Sequence, residues 1–185
     1  GDQVRAALEV EDGIVSGGKL TFGGLELVDI DYQKLKVDGR MAAVNYEEWD
    51  QFFKKLDLAS EVALESELAD TLDAIVLDID SLNIYSMELP AVKVTIKHQD
   101  SAWFVRLFNV NLKGTVLVHD DEGKPIDVNL DYLRFFDDEV ESAFDEDPFA
   151  DIIPQEMFAV NFSTQELTID QVDYGSWKFD FRPNE

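Results

Sequence analysis

Ile126-Asp127-Val128-Asn129-Leu130-Asp131-Tyr132 decides the fold class. Ile126, Val128, Leu130 and Tyr132 alternate with Asp127, Asn129 and Asp131. Only a strand, whose successive side chains point to opposite sides, turns that period into one apolar and one wet face. The same alternation recurs on either side. Val92, Val94 and Ile96 alternate with Lys93, Thr95 and Lys97, and Trp177, Phe179 and Phe181 with Lys178, Asp180 and Arg182. Val110, Leu112, Val116 and Val118 stand against Asn109, Asn111, Lys113 and Thr115, and Leu25-Glu26-Leu27 and Leu35-Lys36-Val37-Asp38 read as shorter strands. A parallel sheet buried on both faces would show continuous apolar runs instead. The pattern therefore predicts a mainly β fold: a curved, mostly antiparallel sheet with one apolar face, on one side of which these residues gather.

Asp12-Gly13, Gly17-Gly18, Gly23-Gly24, Asp38-Gly39 and Asp121-Glu122-Gly123-Lys124-Pro125 supply turn chemistry and predict short meander connections. One stretch departs from period two. Trp49, Phe52, Phe53 and Leu56 recur at helical spacing behind Asn45, with Glu48 three places on as in a capping box. This predicts one short amphipathic helix over about residues 46–57, its aromatic stripe capping the sheet. A second helix is expected over about residues 60–70, within the Ala-, Leu- and Glu-rich stretch Leu58 to Asp73. From Asp137 to Asp151, eight carboxylates crowd around Pro148. Such a density of charge does not enter a core, so residues 134–156 are expected to form an acidic loop or linker.

Leu25 to Tyr32, Leu77 to Ile84 and Leu167 to Tyr174 align as a weak internal recurrence. Leu77 and Ile79 are apolar at odd positions, Leu82 and Ile84 at even ones. On one strand that implies a bulge or turn near Ser81, and reuse of a strand-kink-strand unit. Unequal spacing between the copies excludes a regular solenoid.

The 185 residues suit a single β-rich segment, residues 1–185, and 13 Phe provide material for a core. Fifteen Lys and Arg against 40 Asp and Glu leave a net charge of −25, which repels nucleic-acid phosphates and excludes nucleic acid as a partner. With no cysteine, disulfides, thiolate metal sites and cysteine nucleophiles are excluded together. No apolar run approaches the roughly 20 residues of a membrane-spanning helix. Strand-like patterns begin almost at Val4 and persist to Phe181, so the chain is expected to be a segment of a larger protein.

Catalytic chemistry finds no recognisable arrangement. His98 closes an alternating strand and His119 precedes Asp120-Asp121-Glu122. Both read as residues of solvated turns, and no pair among them and neighbouring acids is expected to converge within a pocket. Asp145 to Asp151 lacks the glycine and distal Glu of a calcium loop. The glycine pairs near residues 17 and 23 are not followed by a helix bearing Lys-Ser or Lys-Thr, which argues against a phosphate loop. With 40 acids present, no carboxylate pair singles itself out for glycoside hydrolysis. No enzyme activity, metal site or cofactor is expected.

Four stretches together resemble the central region of the YhdP branch of the AsmA-like bacterial envelope proteins. Leu35-Lys-Val-Asp-Gly-Arg-Met41, followed by Val44-Asn-Tyr-Glu-Glu-Trp49 and Phe52-Phe53, is similar to a strand ending in a short Trp-bearing helix. Leu77-Asp-Ile-Asp-Ser-Leu82, the Leu89 to Ile96 strand, Trp103 to Leu107 and Leu112-Lys-Gly-Thr-Val116 resemble the ordered strands that follow. Asp127 to Leu133, the acidic linker, and Ile169-Asp-Gln-Val-Asp-Tyr-Gly-Ser-Trp-Lys-Phe179 complete the order.

The resemblance implies a noncatalytic, periplasmic segment of an inner-membrane-anchored protein. Such a segment helps move phospholipid and maintain the outer-membrane barrier, and has no transmembrane segment of its own. Its partners would be phospholipid acyl chains and envelope proteins. On this reading Val92, Val94, Ile96, Val110, Leu112, Val116, Val118, Ile126, Val128, Leu130, Trp177, Phe179 and Phe181 line a lipid groove. The alternative is a passive β-rich interaction or scaffold domain of the envelope whose apolar residues form a closed core without lipid. A third is a carbohydrate-active or metal-dependent hydrolase.

Overall fold

A computed structural model describes residues 4–11, 14–45, 71–84, 87–121, 123–135 and 158–183. The protein is mainly β, as its alternation predicts. The chain divides at Asp100/Ser101 into two compact units.

The first unit holds β1 (Arg5–Glu11), β2 (Ile14–Thr21), β3 (Leu35–Asn45), β4 (Leu72–Ile84) and β5 (Met87–Gln99). β1–β2 and β4–β5 are antiparallel, while β2–β3 and β3–β4 are parallel. The second unit holds β6 (Ala102–Phe108), β7 (Leu112–His119), β8 (Ile126–Phe135), β9 (Val160–Thr164), β10 (Leu167–Ile169), β11 (Val172–Asp173) and β12 (Trp177–Phe181). β6, β7 and β8 form an antiparallel meander. β9 and β10 both run parallel to β8, and β12 and β11 return antiparallel to them. Among the described pairings the two kinds are equal in the first unit, and antiparallel pairs are the majority in the second. The parallel ones arise where long connections, residues 22–34 among them, let the chain cross over before pairing.

In the first unit, register aligns Ala6, Leu20, Val37, Ile75 and Ile96 in one apolar row across all five strands. Beside it, Leu77 pairs with Val94 and Ile79 with Val92, and Ile79, Val92 and Val94 are buried. Residues 22–34 pack against β2 and seal in Lys19 and Thr21. The Lys19 ammonium donates to Val28 O at 3.0 Å and lies 2.9 Å from Asp38 Oδ2, and the Thr21 hydroxyl donates to Leu25 O at 3.2 Å.

Those contacts explain one correction. Leu25-Glu26-Leu27 is not a strand, because the carbonyls of its segment serve β2 instead of a ladder. Gly17-Gly18 and Asp38-Gly39 are also not turns: they lie inside β2 and β3. At Gly17 a Cβ would stand 2.0 Å from Tyr32 O, so the glycine serves the close approach of the loop.

The phase switch near Ser81 is present without a turn. β4 runs through it, and burial passes from Ile79 to Leu82. The neighbours switch at the same level: burial passes from Val92 to Leu89 on β5 across Pro90 and Ala91, and the half-buried positions pass from Met41 to Val44 on β3. Ala91 has a φ of 52°, so one left-handed residue marks the crease. The three recurrent segments do not share a unit. Leu25 to Tyr32 is loop, Leu77 to Ile84 lies within β4, and Leu167 to Asp173 is a hairpin turning at Asp170 and Gln171, whose φ values are 48° and 66°.

The helix over residues 46–57, the second over 60–70 and most of the linker over 134–156 lie outside the described residues. At their margins, Leu72 opens β4, and Arg134 and Phe135 close β8.

Candidate functional site

Register assembles the site in the second unit. Val105, Val116, Val128, Phe162 and Phe179 face one another in turn across β6, β7, β8, β9 and β12, and register partners share a face. The next row is Leu107, Gly114, Leu130, Thr164 and Trp177; on the other side stand Trp103 with Val118 and Ile126 with Val160 and Phe181. At about 4.8 Å per strand, the rows cross roughly 19 Å of sheet.

A bulge keeps this face apolar further along. Leu112 pairs with Leu133 and Gly114 with Leu130, so β8 carries one extra residue. β9 and β10 follow the shift: Thr164 pairs with Leu130 and Leu167 with Leu133, leaving Gln165 and Glu166 between the two strands. Leu112, Leu133 and Leu167 thus form a further row, with Phe135, Ile169 and Val172 beyond it. Gly114 makes the bulge possible, since a Cβ there would stand 2.4 Å from Asn129 O and 2.6 Å from Leu130 Cα.

Leu112 and Leu130 are buried, whereas Val105, Val116, Val118, Ile126 and Val128 are half-buried. Trp177 is 49% exposed and Phe179 51%, and the Phe162 and Phe179 rings stack at 4.8 Å. Among the described residues of the second unit, the principal contacts between strands are those of hydrogen-bonded neighbours. No charged side chain stands in the rows, and the one hydroxyl, on Thr164, donates to Glu166 O at 2.9 Å.

On β8, β9 and β12 the opposite face is polar, while Phe104 and Leu117 continue its first row onto β6 and β7. Asp127, Asn161 and Asp180 form one row, Asn129, Ser163 and Lys178 another, and together they line an open depression of about 360 Å³. The Asn161 amide donates to Asp127 Oδ1 at 2.6 Å, His119 Nε2 lies 3.2 Å from Asp127 Oδ2, and the Ser163 hydroxyl donates to Asn129 Oδ1 at 2.8 Å. The Asn161 hydrogen bond, followed by that of His119, holds the Asp127 carboxyl below the usual carboxylate range against the opposing effect of partial burial. Lys113, bonded to Asp131 at 2.8 Å, is held protonated above the usual lysine value.

The thirteen residues named from sequence divide. Val92, Val94 and Ile96 belong to the first unit, on the face of its apolar rows. Leu112, Val116, Val118, Ile126, Val128, Leu130, Trp177, Phe179 and Phe181 belong to the second unit, and register places them on one face. Val110 does not join them. It sits in the β6–β7 turn at 73% exposure, because Asn109 folds back there: its Oδ1 accepts from Asn111 N at 2.9 Å and Leu112 N at 2.5 Å. Trp103, Val105, Leu107 and Phe162 were missed as face residues, although Val160-Asn161-Phe162-Ser163-Thr164 carries the alternation that finds Phe162.

His98 lies on β5. His119 does meet an acid, contrary to its reading as a turn residue. The pair sits at the end of β7 with side chains 22% and 30% exposed, and only Asp127 lines the depression. Among the described residues no group of three or more His, Cys, Asp or Glu is placed to hold a metal, and no helix is long and apolar enough to cross a membrane.

Comparison with known proteins gives one result of weight: the family model described as YhdP protein matches residues 1–185. No curated protein and no solved structure matches the chain.

Proposed function

The chain belongs to the YhdP protein family, a family of the bacterial cell envelope, and from that premise we propose that the apolar face of its second unit is a track for phospholipid acyl chains. In this reading the chain is a noncatalytic part of a periplasmic, inner-membrane-anchored protein that carries phospholipid toward the outer membrane. The observation that supports it is the row Val105, Val116, Val128, Phe162 and Phe179, five strands wide, uncharged and half-exposed. An acyl chain laid on such a surface gains about 0.8 kcal/mol per buried methylene and asks for no hydrogen bond in return. Large contiguous apolar surface of this kind marks a place where something binds.

The polar face supports the noncatalytic part. Its amide and hydroxyl groups are tied to one another across strands, and the His119–Asp127 pair lies at the rim with no recognised nucleophile arrangement beside it among the described residues.

Photo-crosslinking tests the reading. A photoreactive side chain at Val128 should label acyl chains of envelope phospholipid, and the same group at Asn129, one residue away on the polar face, should label far less. Equal labelling at both positions would sink the track. No labelling at either would favour the passive scaffold.

A further inference from the structure

One chain of side-chain contacts on the polar face crosses the second unit from strand to strand. His119, at the end of β7, lies with Nε2 3.2 Å from Asp127 Oδ2 near the start of β8. Asn161 of β9 donates to Asp127 Oδ1 at 2.6 Å, and its own Oδ1 accepts at 2.6 Å from Arg182, just past β12. Arg182 also donates to Val160 O at 3.1 Å. A single amide thus joins the meander to the returning strands, with both of its polar atoms committed. Phe162 follows Asn161 on the opposite side of β9 and stacks on Phe179 of β12, so these contacts lie behind the aromatic part of the apolar rows.

We propose that His119, Asp127, Asn161 and Arg182 form an acid-sensitive clasp, which sets how firmly the β9 and β12 part of the apolar face holds acyl chains. The inference rests on the acyl-chain reading above and adds its regulation.

The chemistry turns on Asp127. As a carboxylate it only accepts, from the Asn161 amide on one oxygen and from His119 Nε2 on the other. Protonation brings a hydroxyl up against one of those two donors. At the pH where a carboxyl takes a proton, an imidazole is already a cation and donates from both nitrogens. Turning the Asn161 amide over does not help, because its nitrogen would then meet the Arg182 guanidinium. One contact is therefore lost. The Asn161 hydrogen bond holds the Asp127 carboxyl below the usual range against partial burial, and His119 and Arg182 add to it. A carboxyl depressed on folding contributes stability that is present above its unfolded value and is lost as pH falls through its folded value, so the clasp is closed at neutral pH and opens in acid. The other charged groups around it, among the described residues, are Asp180 beyond Asn161 in the same row, and Asp120, Asp121 and Lys124 in the β7–β8 turn. β6 sets the uncharged Ala102 opposite His119.

The test loads the purified protein from phosphatidylethanolamine vesicles and lowers the pH, reading amide-exchange protection strand by strand, the Asp127 carboxyl by NMR, and the lipid retained. In wild type, β9 protection and bound lipid should fall together through the Asp127 midpoint while β6 and β7 keep their protection. Asn161→Ala should lose about tenfold in β9 protection already at neutral pH, the scale of one hydrogen bond to a charged group, and carry less lipid there. His119→Gln should hold its lipid in acid, because an amide can turn its oxygen toward the Asp127 hydroxyl. Release from His119→Gln at the same pH as from wild type would overturn the switch. A full lipid load on protein whose β9 has loosened would overturn the clasp as a regulator while leaving the acyl track standing. Equal loss of protection in β6, β7 and β9 would mean global acid unfolding, and would overturn a local device. A wild type that carries no lipid at neutral pH would overturn the acyl reading itself.

Discussion

The Phe162 and Phe179 rings stack across the β9–β12 pair, with centroids 4.8 Å apart and planes inclined by 18°. The contact fastens β12 to β9 from the apolar side, while Arg182 fastens it from the end, donating to Val160 O at 3.1 Å and Asn161 Oδ1 at 2.6 Å. A double-mutant cycle with Phe162→Leu and Phe179→Leu should give a coupling of about 0.5–1.5 kcal/mol in denaturant unfolding. Additive effects would mean that the rings do not act as a pair.

Gly114→Ala should destabilise the second unit by about 2–3 kcal/mol, because the atoms in the way are Asn129 O and Leu130 Cα, which cannot rotate aside. Gly24→Ala is the contrast: open space surrounds that position, and only its φ of 81° resists a side chain. Urea midpoints of the two variants compare them, and a neutral Gly114→Ala would show that β7 and β8 do not approach as closely as described.

Asn109→Ala should cost about 1–3 kcal/mol, since Asn109 is buried and its Oδ1 satisfies the amides of Asn111 and Leu112. Faster amide exchange at Leu112 is the specific signature. Unchanged exchange would contradict the turn.

Asp127 titrates below the ordinary carboxylate range chiefly because the Asn161 amide donates to it. A carboxyl depressed on folding contributes stability that is present above its unfolded value and is lost as pH falls through its folded value. Asn161→Ala should therefore raise the Asp127 midpoint toward the ordinary value and bring the acid loss of stability to higher pH. An NMR titration of the Asp127 carboxyl reads the shift directly, and an unmoved midpoint would contradict the assignment.

Much of this was legible in the sequence wherever a strand is wet on one side. Ile126 to Leu130 and Trp177 to Phe181 show their faces by alternation alone, whereas the bulge that follows Leu130 sets Tyr132 opposite Lys113, off the face its alternation predicts. Alternation does not say which strands become neighbours, so the parallel pairings stayed hidden: they depend on where long connections return the chain. Glycine misled for a related reason. Gly17 and Gly39 look like turn residues, yet each lies in a strand where something passes close by, Tyr32 O in one case and Phe22 with Leu77 in the other. Val110 failed because its neighbour Asn109 caps the β6–β7 turn with its own side chain, and that local hydrogen bonding outweighs periodicity.

Val94→Asp should unfold the first unit. Val94 is 6% exposed, and an unpaired charge there costs several kcal/mol, comparable with a domain's whole stability of about 5–15 kcal/mol. A soluble, cooperatively melting variant would show that the residue is not a core position.

Val128→Asp asks the same question of the second unit, where the side chain is half-buried in the middle of the uncharged row. The decisive measurement is the phospholipid extracted from purified wild type and Val128→Asp, set beside their thermal unfolding. The acyl-track account predicts a lipid-loaded wild type and a variant that still melts cooperatively but carries little lipid. A lipid-free wild type, or a folded variant with its full lipid load, would contradict it.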